Sequence, residues 1–375
     1  MPHRFLRLCA CLVFAVAANW AVRAADEAIP PPAAPAAPAA KPPAPAPAPA
    51  VPRVKFAQVH LAAGKYLRAV AVTSDGSGWV GVEGSGLRCY DGQTWAGVAL
   101  PASCQWEYPM VIRPRTDGLW VGLARSGIAQ RLPSGEWVAH DLWRGMAGHR
   151  VYDLVGAAPG PLWAATDRGL WQWDGKRWLF VGQAPSDLTA VAVSGEQVFA
   201  ASSNDGVWQV AKGGLEPLAA AGFPDRRVEA LATDAAGRLW AGTWSGVACL
   251  IGQRWESYAM PLPKLTEAQM KGALTPQSQA VLRIIAAADG SLWLGTRTEG
   301  VWRLLPPPAT TAPVGGAPAA DAPVEQPAAE WAQLGRTEGL PDPFVRDLCF
   351  DALGRLWVAT YGGGLVCFSA PMAFK

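Results

Sequence analysis

The residues best equipped for recognition chemistry fall in short clusters. Trp106, Glu107 and Tyr108 are consecutive, Trp143 precedes Arg144, His149 precedes Arg150, and Asp167 precedes Arg168. Arg226 and Arg227 stand together, and Arg297 lies two residues from Glu299. Arg125, Asp205, Trp244 and Tyr361 each sit among small, turn-forming neighbours. A flat aromatic ring beside guanidinium and carboxylate groups suits a sugar ring, an anionic glycan or a peptide, because it joins apolar contact to directed hydrogen bonds. The competing reading is that the same residues only cover glycine-rich turns.

Signals for catalysis or metals are weaker. Gly76-Ser77-Gly78-Trp79-Val80-Gly81 matches the spacing of a dinucleotide-binding loop, but that loop must open a helix, and here a turn and a strand follow. Asp75, Asp117, Asp234, Asp289 and Asp351 recur singly in turns, without the clustered oxygen ligands that calcium needs. His60, His140 and His149 show no ligand spacing. No cofactor and no metal is therefore expected. Cys89, Cys249 and Cys367 share one repeat position, filled elsewhere by Gln130, Gln172, Gln209 and Arg303, which reads as a packing slot. Cys89–Cys104 is the one disulfide worth entertaining in an oxidising compartment.

The elements that must position these residues are repeats. Asp-Ala-Ala-Gly-Arg-Leu-Trp-Ala-Gly-Thr at 234–243 returns as Asp-Ala-Leu-Gly-Arg-Leu-Trp-Val-Ala-Thr at 351–360 and, shortened, at 289–296. Weaker copies place Trp79, Trp120, Trp163 and Phe199 in the position of Trp240, Trp293 and Trp357. The spacings are 41, 43, 36, 41, 53 and 64 residues, the last two stretched by insertions at 261–279 and 306–327. A period near 40 residues belongs to a four-stranded propeller blade. Within each copy, strand A is a short apolar run such as 228–232, strand B carries the tryptophan, strand C opens on a glycine, and strand D often holds another tryptophan. Phe56-Ala57-Gln58-Val59 reads like Trp331-Ala332-Gln333-Leu334, and the chain ends just after the seventh strand C. Residues 54–61 are thus expected to complete the last blade. The fold class is all-β, a seven-bladed propeller of four-stranded antiparallel blades closed by an N-terminal strand.

In such a fold the B–C turns and the D–A connections share one face. The repeat places Trp106, Tyr108, Arg125, Trp143, His149, Arg150, Asp167, Arg168, Arg227, Trp244, Arg297, Glu299 and Tyr361 there, and these form the candidate ligand-binding set. Trp106, Trp143 and Trp244 are the tryptophans without a framework position, and all three map to this face.

The pattern Val-x-x-Leu-x-x-Asp-x-x-Gly-x-Leu-Trp-x-x-Thr-x-x-Gly-Gly-Leu at 345–365, with the Gly339-Leu340-Pro341 lead-in, resembles the two-component regulator propeller repeat. Gly222-Phe223-Pro224 is a looser copy of the lead-in. The resemblance implies a propeller over about 54–375 and recognition outside the cytoplasm. In that family such propellers commonly form the periplasmic sensory part of membrane kinases, often two in tandem, and many are thought to sense carbohydrates. This sequence departs from that architecture, with one propeller and no kinase, response-regulator domain or C-terminal membrane span.

The N-terminus reads as an export address. His3, Arg4 and Arg7 precede an apolar run from Leu8 to Ala18, and Val22-Arg23-Ala24 predicts cleavage before Ala25. The expected organisation is a signal peptide at 1–24, an Ala/Pro-rich spacer at 25–52, and the propeller at 53–375 with a Pro/Ala-rich insertion at 305–330. A periplasmic or secreted location follows. The formal charge of +2 on 375 residues, with no basic block, disfavours nucleic acid as a partner. No later window predicts a membrane span. The sequence therefore points to an exported, non-catalytic module that recognises a carbohydrate or peptide in a sensor-like role. A protein–protein scaffold in a cell-envelope assembly is the first alternative, and a propeller lyase or hydrolase is the second.

Overall fold

Strand A of each repeat alternates large apolar residues with one or two polar ones. Strand B is apolar on both faces, as expected of a strand covered by neighbours on either side. The computed structural model describes residues 66–104, 108–140, 150–261, 279–307 and 329–368, together with the strand at 58–61. All fall in the second of two compact units, Ala48–Lys375. The signal peptide, the Ala/Pro spacer and most of the two insertions lie outside the described residues.

The described residues form seven four-stranded antiparallel sheets. Six take their strands in sequence order. The seventh has Gln58–Leu61 paired antiparallel with Gly364–Phe368, so the N-terminal strand completes the last blade as the repeat predicts. The A strands pack against one another around the axis. They run Leu67–Val72, Pro109–Arg115, Val151–Val155, Leu188–Ser194, Val228–Thr233, Val281–Ala286 and Val345–Phe350. Blades meet closely because strand B ends in small residues. A Cβ on Gly122 would lie 2.7 Å from the Val151 side chain of the next blade, and one on Gly242 would lie 2.8 Å from Val281.

The turn aspartates hold the framework tryptophans as well as shaping turns. Trp120, Trp240 and Trp357 donate their indole N–H to Asp117, Asp234 and Asp351 at 2.9, 2.8 and 2.9 Å. Trp79 and Trp293 instead reach the Thr73 and Ser291 hydroxyls, which donate to Asp75 and Asp289. Arg238 closes the device in blade 5, pairing with Asp234 at 2.6 Å while its guanidinium lies 5.5 Å from the Trp240 ring centre. Burial alone would raise the Asp234 pKa, but the hydrogen bonds from Trp240 and Arg238 hold it below its ordinary value.

Cys89, Cys249 and Cys367 each stand opposite the strand-B tryptophan of their blade, in register with Trp79, Trp240 and Trp357. Burial raises the Cys249 thiol to about 12 and the Cys367 thiol to about 11, so both remain neutral packing groups. The Cys89–Cys104 disulfide entertained from the sequence is not formed. Both thiols pack with one apolar cluster between the first two blades, where they serve as small hydrophobic groups.

Two outcomes are expected. Trp240 is fully buried, so Trp240→Ala should lower the unfolding free energy by about 3–5 kcal/mol in a urea titration. Non-reducing mass spectrometry should find Cys89 and Cys104 alkylated as thiols after denaturation. A peptide pair linked through them would contradict the packing described.

Candidate functional site

The site begins with a backbone irregularity repeated seven times. Every A strand slips register against its B strand after the first residue. A β-bulge of this kind leaves one residue unpaired and re-aims its side chain. The residues so placed are Arg68, Met110, Tyr152, Thr189, Glu229, Leu282 and Arg346. Together with Val111, Arg283 and Asp347 they line a small open cavity of about 60 Å³.

Asp153, Arg283 and Asp347, one position beyond the bulge, and Arg113, three beyond it, form a charged network. Arg283 of blade 6 pairs with Asp347 of blade 7 at 3.0 Å and with Asp153 of blade 3 at 3.2 Å. Arg113 of blade 2 reaches the same Asp153 at 2.8 Å. The two aspartates play equivalent parts. Asp153 accepts from the Val191 backbone N–H of blade 4, and Asp347 from that of Val70 in blade 1. Burial outweighs the attraction of Arg113 and pushes Asp347 up to about 6.

Above the bulges, the B–C turns are tied to the residues that enter the A strands. Glu83, Asp167, Trp244, Arg297 and Tyr361 donate their backbone N–H groups to the carbonyls of Tyr66, Arg150, Arg227, Ala280 and Phe344. Gly246, with φ +123°, supplies the left-handed step that ends one such turn, and Thr243 Oγ donates to its carbonyl.

On this frame arginines and aromatic rings alternate. The Arg227 and Arg297 guanidiniums lie 5.0 and 5.3 Å from the Trp244 ring centre, and the Trp244 indole N–H donates to Glu229 at 2.9 Å. Arg297 and Arg346 both approach Phe344, at 5.8 and 5.7 Å. Phe344 packs on Tyr361, Tyr361 packs on Tyr66, and Arg68 lies 5.3 Å from Tyr361 and 5.7 Å from Tyr108. Arg68 is also paired with Glu83 at 2.9 Å, and Arg227 with Asp225 at 2.7 Å.

Of the residues selected from the sequence, Tyr108, Arg227, Trp244, Arg297 and Tyr361 come together in this ladder. Arg150 and Asp167 form a neighbouring group: the Arg150 backbone donates to Asp167, and its side chain donates to the Tyr152 hydroxyl, which donates to Asp187. Arg125 and Arg168 are exposed on the rim, and half-buried Glu299 faces Thr298, with burial raising its pKa. None of these three touches the ladder. Trp106, Trp143 and His149 lie outside the described residues. Arg68, Glu229, Phe344, Arg346 and the Arg283 network escaped the sequence reading. Arg68, Glu229 and Arg346 take the second place of their strand A and Arg283 the third, whereas Phe344 precedes its strand.

Residues 339–362 match the two component regulator propeller family. No curated protein matches the chain. Among solved structures, the extracellular domain of a hybrid two component system from B. thetaiotaomicron is 15% identical with a TM-score of 0.62. The match covers 85% of this chain but spans only 43% of that one. A catalytically inactive virginiamycin B lyase from Staphylococcus aureus, solved with quinupristin, is 12% identical with a TM-score of 0.60, covering 84% and 99% of the two chains. YCF48 bound to D1 peptide is 14% identical with a TM-score of 0.60, covering 87% and 100%. At these identities the likeness is one of fold, and that fold serves sensor-type, binding and lyase proteins alike. Among the described residues no helix is long and apolar enough to cross a membrane.

The turn that carries Trp244 should be acid-sensitive. Burial alone would raise Asp225, but hydrogen bonds from Arg227 and Ser245 bring it down to about 2 from 3.8. A depressed carboxylate stabilises the fold above its unfolded pKa and loses that contribution as pH falls. Melting temperatures measured between about pH 4 and pH 2 should therefore fall less steeply in Asp225→Asn than in the parent. Parallel curves would remove Asp225 as the cause.

Proposed function

We propose that this propeller is an exported recognition module that binds a soluble ligand at the mouth of its axial channel, without turning it over. The observation that carries this reading is the convergence of the bulged A-strand residues of all seven blades on one cavity, which Arg68 and Arg346 join to the ladder of arginine and aromatic side chains. Ligand pockets fix the orientation of what they bind with a few directed polar groups. A binding role is further supported by the state of the nearby acids. Glu229 accepts from Trp244, Glu83 is engaged by Arg68, and Asp347 by Arg283, so each has a structural partner.

The candidate ligands are those expected from the sequence, an oligosaccharide or a peptide. Export rests on the N-terminal address at 1–24.

A thermal-shift screen of the full chain against neutral and acidic oligosaccharides and peptides tests the reading. A ligand present at a hundred times its dissociation constant adds about 2.7 kcal/mol of stability. Trp244→Ala should abolish the shift while costing far less stability than Trp240→Ala, because Trp244 is only half-buried and organises Arg227 and Arg297. Equal stability losses in the two variants would defeat the division between framework and mouth. A blank screen would transfer the face to a protein partner.

A further inference from the structure

We infer that the ligand taken at this mouth carries a carboxylate, which seats on the Arg297 and Arg346 guanidiniums beside Phe344. The inference rests on the recognition role proposed above and narrows it to a ligand chemistry.

The first ground is an imbalance of partners. In the ladder, Arg68 and Arg227 each hold a carboxylate. Arg297 and Arg346 approach the same ring, and among the described residues neither has an acid within ion-pair distance. A guanidinium held against an aromatic face keeps its N–H groups in its own plane, free to meet a carboxylate in a two-pronged hydrogen bond.

The second ground is an orphaned donor. The Arg346 Nε is buried and has no hydrogen-bond partner, and a buried donor without a partner is costly. Burial and the like charge of Arg68 depress its pKa, so a negative group arriving there relieves both strains.

The third ground separates this ligand from a neutral sugar stacked on bare rings. Trp244, Phe344 and Tyr361 already have guanidiniums within 6 Å of their centres, so the rings act as supports for cations. Glu229 and Asp347 also lie close enough to interact with Arg346, which favours a carboxylate over a doubly charged phosphate.

Calorimetry on the full chain tests this with four probes: trigalacturonate, its methyl ester, citrate and inorganic phosphate. Trigalacturonate or citrate should bind, with affinity falling as salt is raised. Which of the two binds tells a sugar acid from an aliphatic acid. The methyl ester should bind at least tenfold more weakly than its acid. Arg297→Gln and Arg346→Gln should each weaken acid binding at least tenfold. Arg346→Gln should leave the melting temperature unchanged or raised, whereas a purely structural arginine would lower it. Equal binding of ester and acid, or tighter binding of phosphate than of either carboxylate, overturns the carboxylate while leaving recognition at the mouth intact. No binding by either acid also overturns it, and recognition itself then fails only if the neutral sugars and peptides of the wider screen are blank as well.

Discussion

One guanidinium spans the axis. Arg283 joins the sixth blade to Asp153 of the third and Asp347 of the seventh, and those aspartates in turn accept the backbone N–H groups of the next blades round the ring. Removing Asp153 would leave the Arg113 guanidinium without its acid, which is the expensive way to break such a network. The apolar packing between blades carries most of the cohesion, but it is directionless and would tolerate small rotations of each sheet. The charged network fixes the orientation of the A strands toward the axis. The bulged residues one step above inherit that orientation, and with it the geometry of the mouth.

The ladder at the mouth uses aromatic residues in a way that differs from the framework. Five strand-B tryptophans, Trp79, Trp120, Trp240, Trp293 and Trp357, are buried with their single N–H given to a turn aspartate or hydroxyl. Trp244 also commits its N–H, to Glu229, but its ring stays half-exposed and holds two guanidiniums. The chemistry of the face therefore resides in the cations, and the rings determine where those cations point.

Much of the architecture was legible in the chain because it is written by repetition. Seven aromatic positions, a small residue near the end of strand B and an unpaired N-terminal copy of strand D suffice to specify blade number and closure. Five of the candidate residues, Tyr108, Arg227, Trp244, Arg297 and Tyr361, could be placed near one another by register alone. The residues that were missed lie where repetition gives way. Arg68, Glu229 and Arg346 occupy one slot, but Met110, Tyr152, Thr189 and Leu282 occupy it in the other blades, so no residue type marks it. Its inward aim comes from the bulge, which is a property of pairing between strands and leaves no trace in either strand's composition. The turn aspartates were half-read: their place in the turn was plain, whereas their bond to an indole three to six residues on depends on how the hairpin folds back.

The strand that completes the last blade is the first part of the propeller to leave the ribosome. Gln58–Leu61 has to wait for Gly364–Phe368, just as Val70 waits for Asp347, 277 residues away. Contacts so distant along the chain are slow to form, because the entropy of closing the loop is lost before any contact rewards it. A chain threaded through a membrane with its N-terminus leading would thus spend its whole passage with an open ring, its closing strand idle and its blades held only by nearest neighbours. The closed ring, and with it the cavity that the seven A strands line, comes into being only after the last residues arrive.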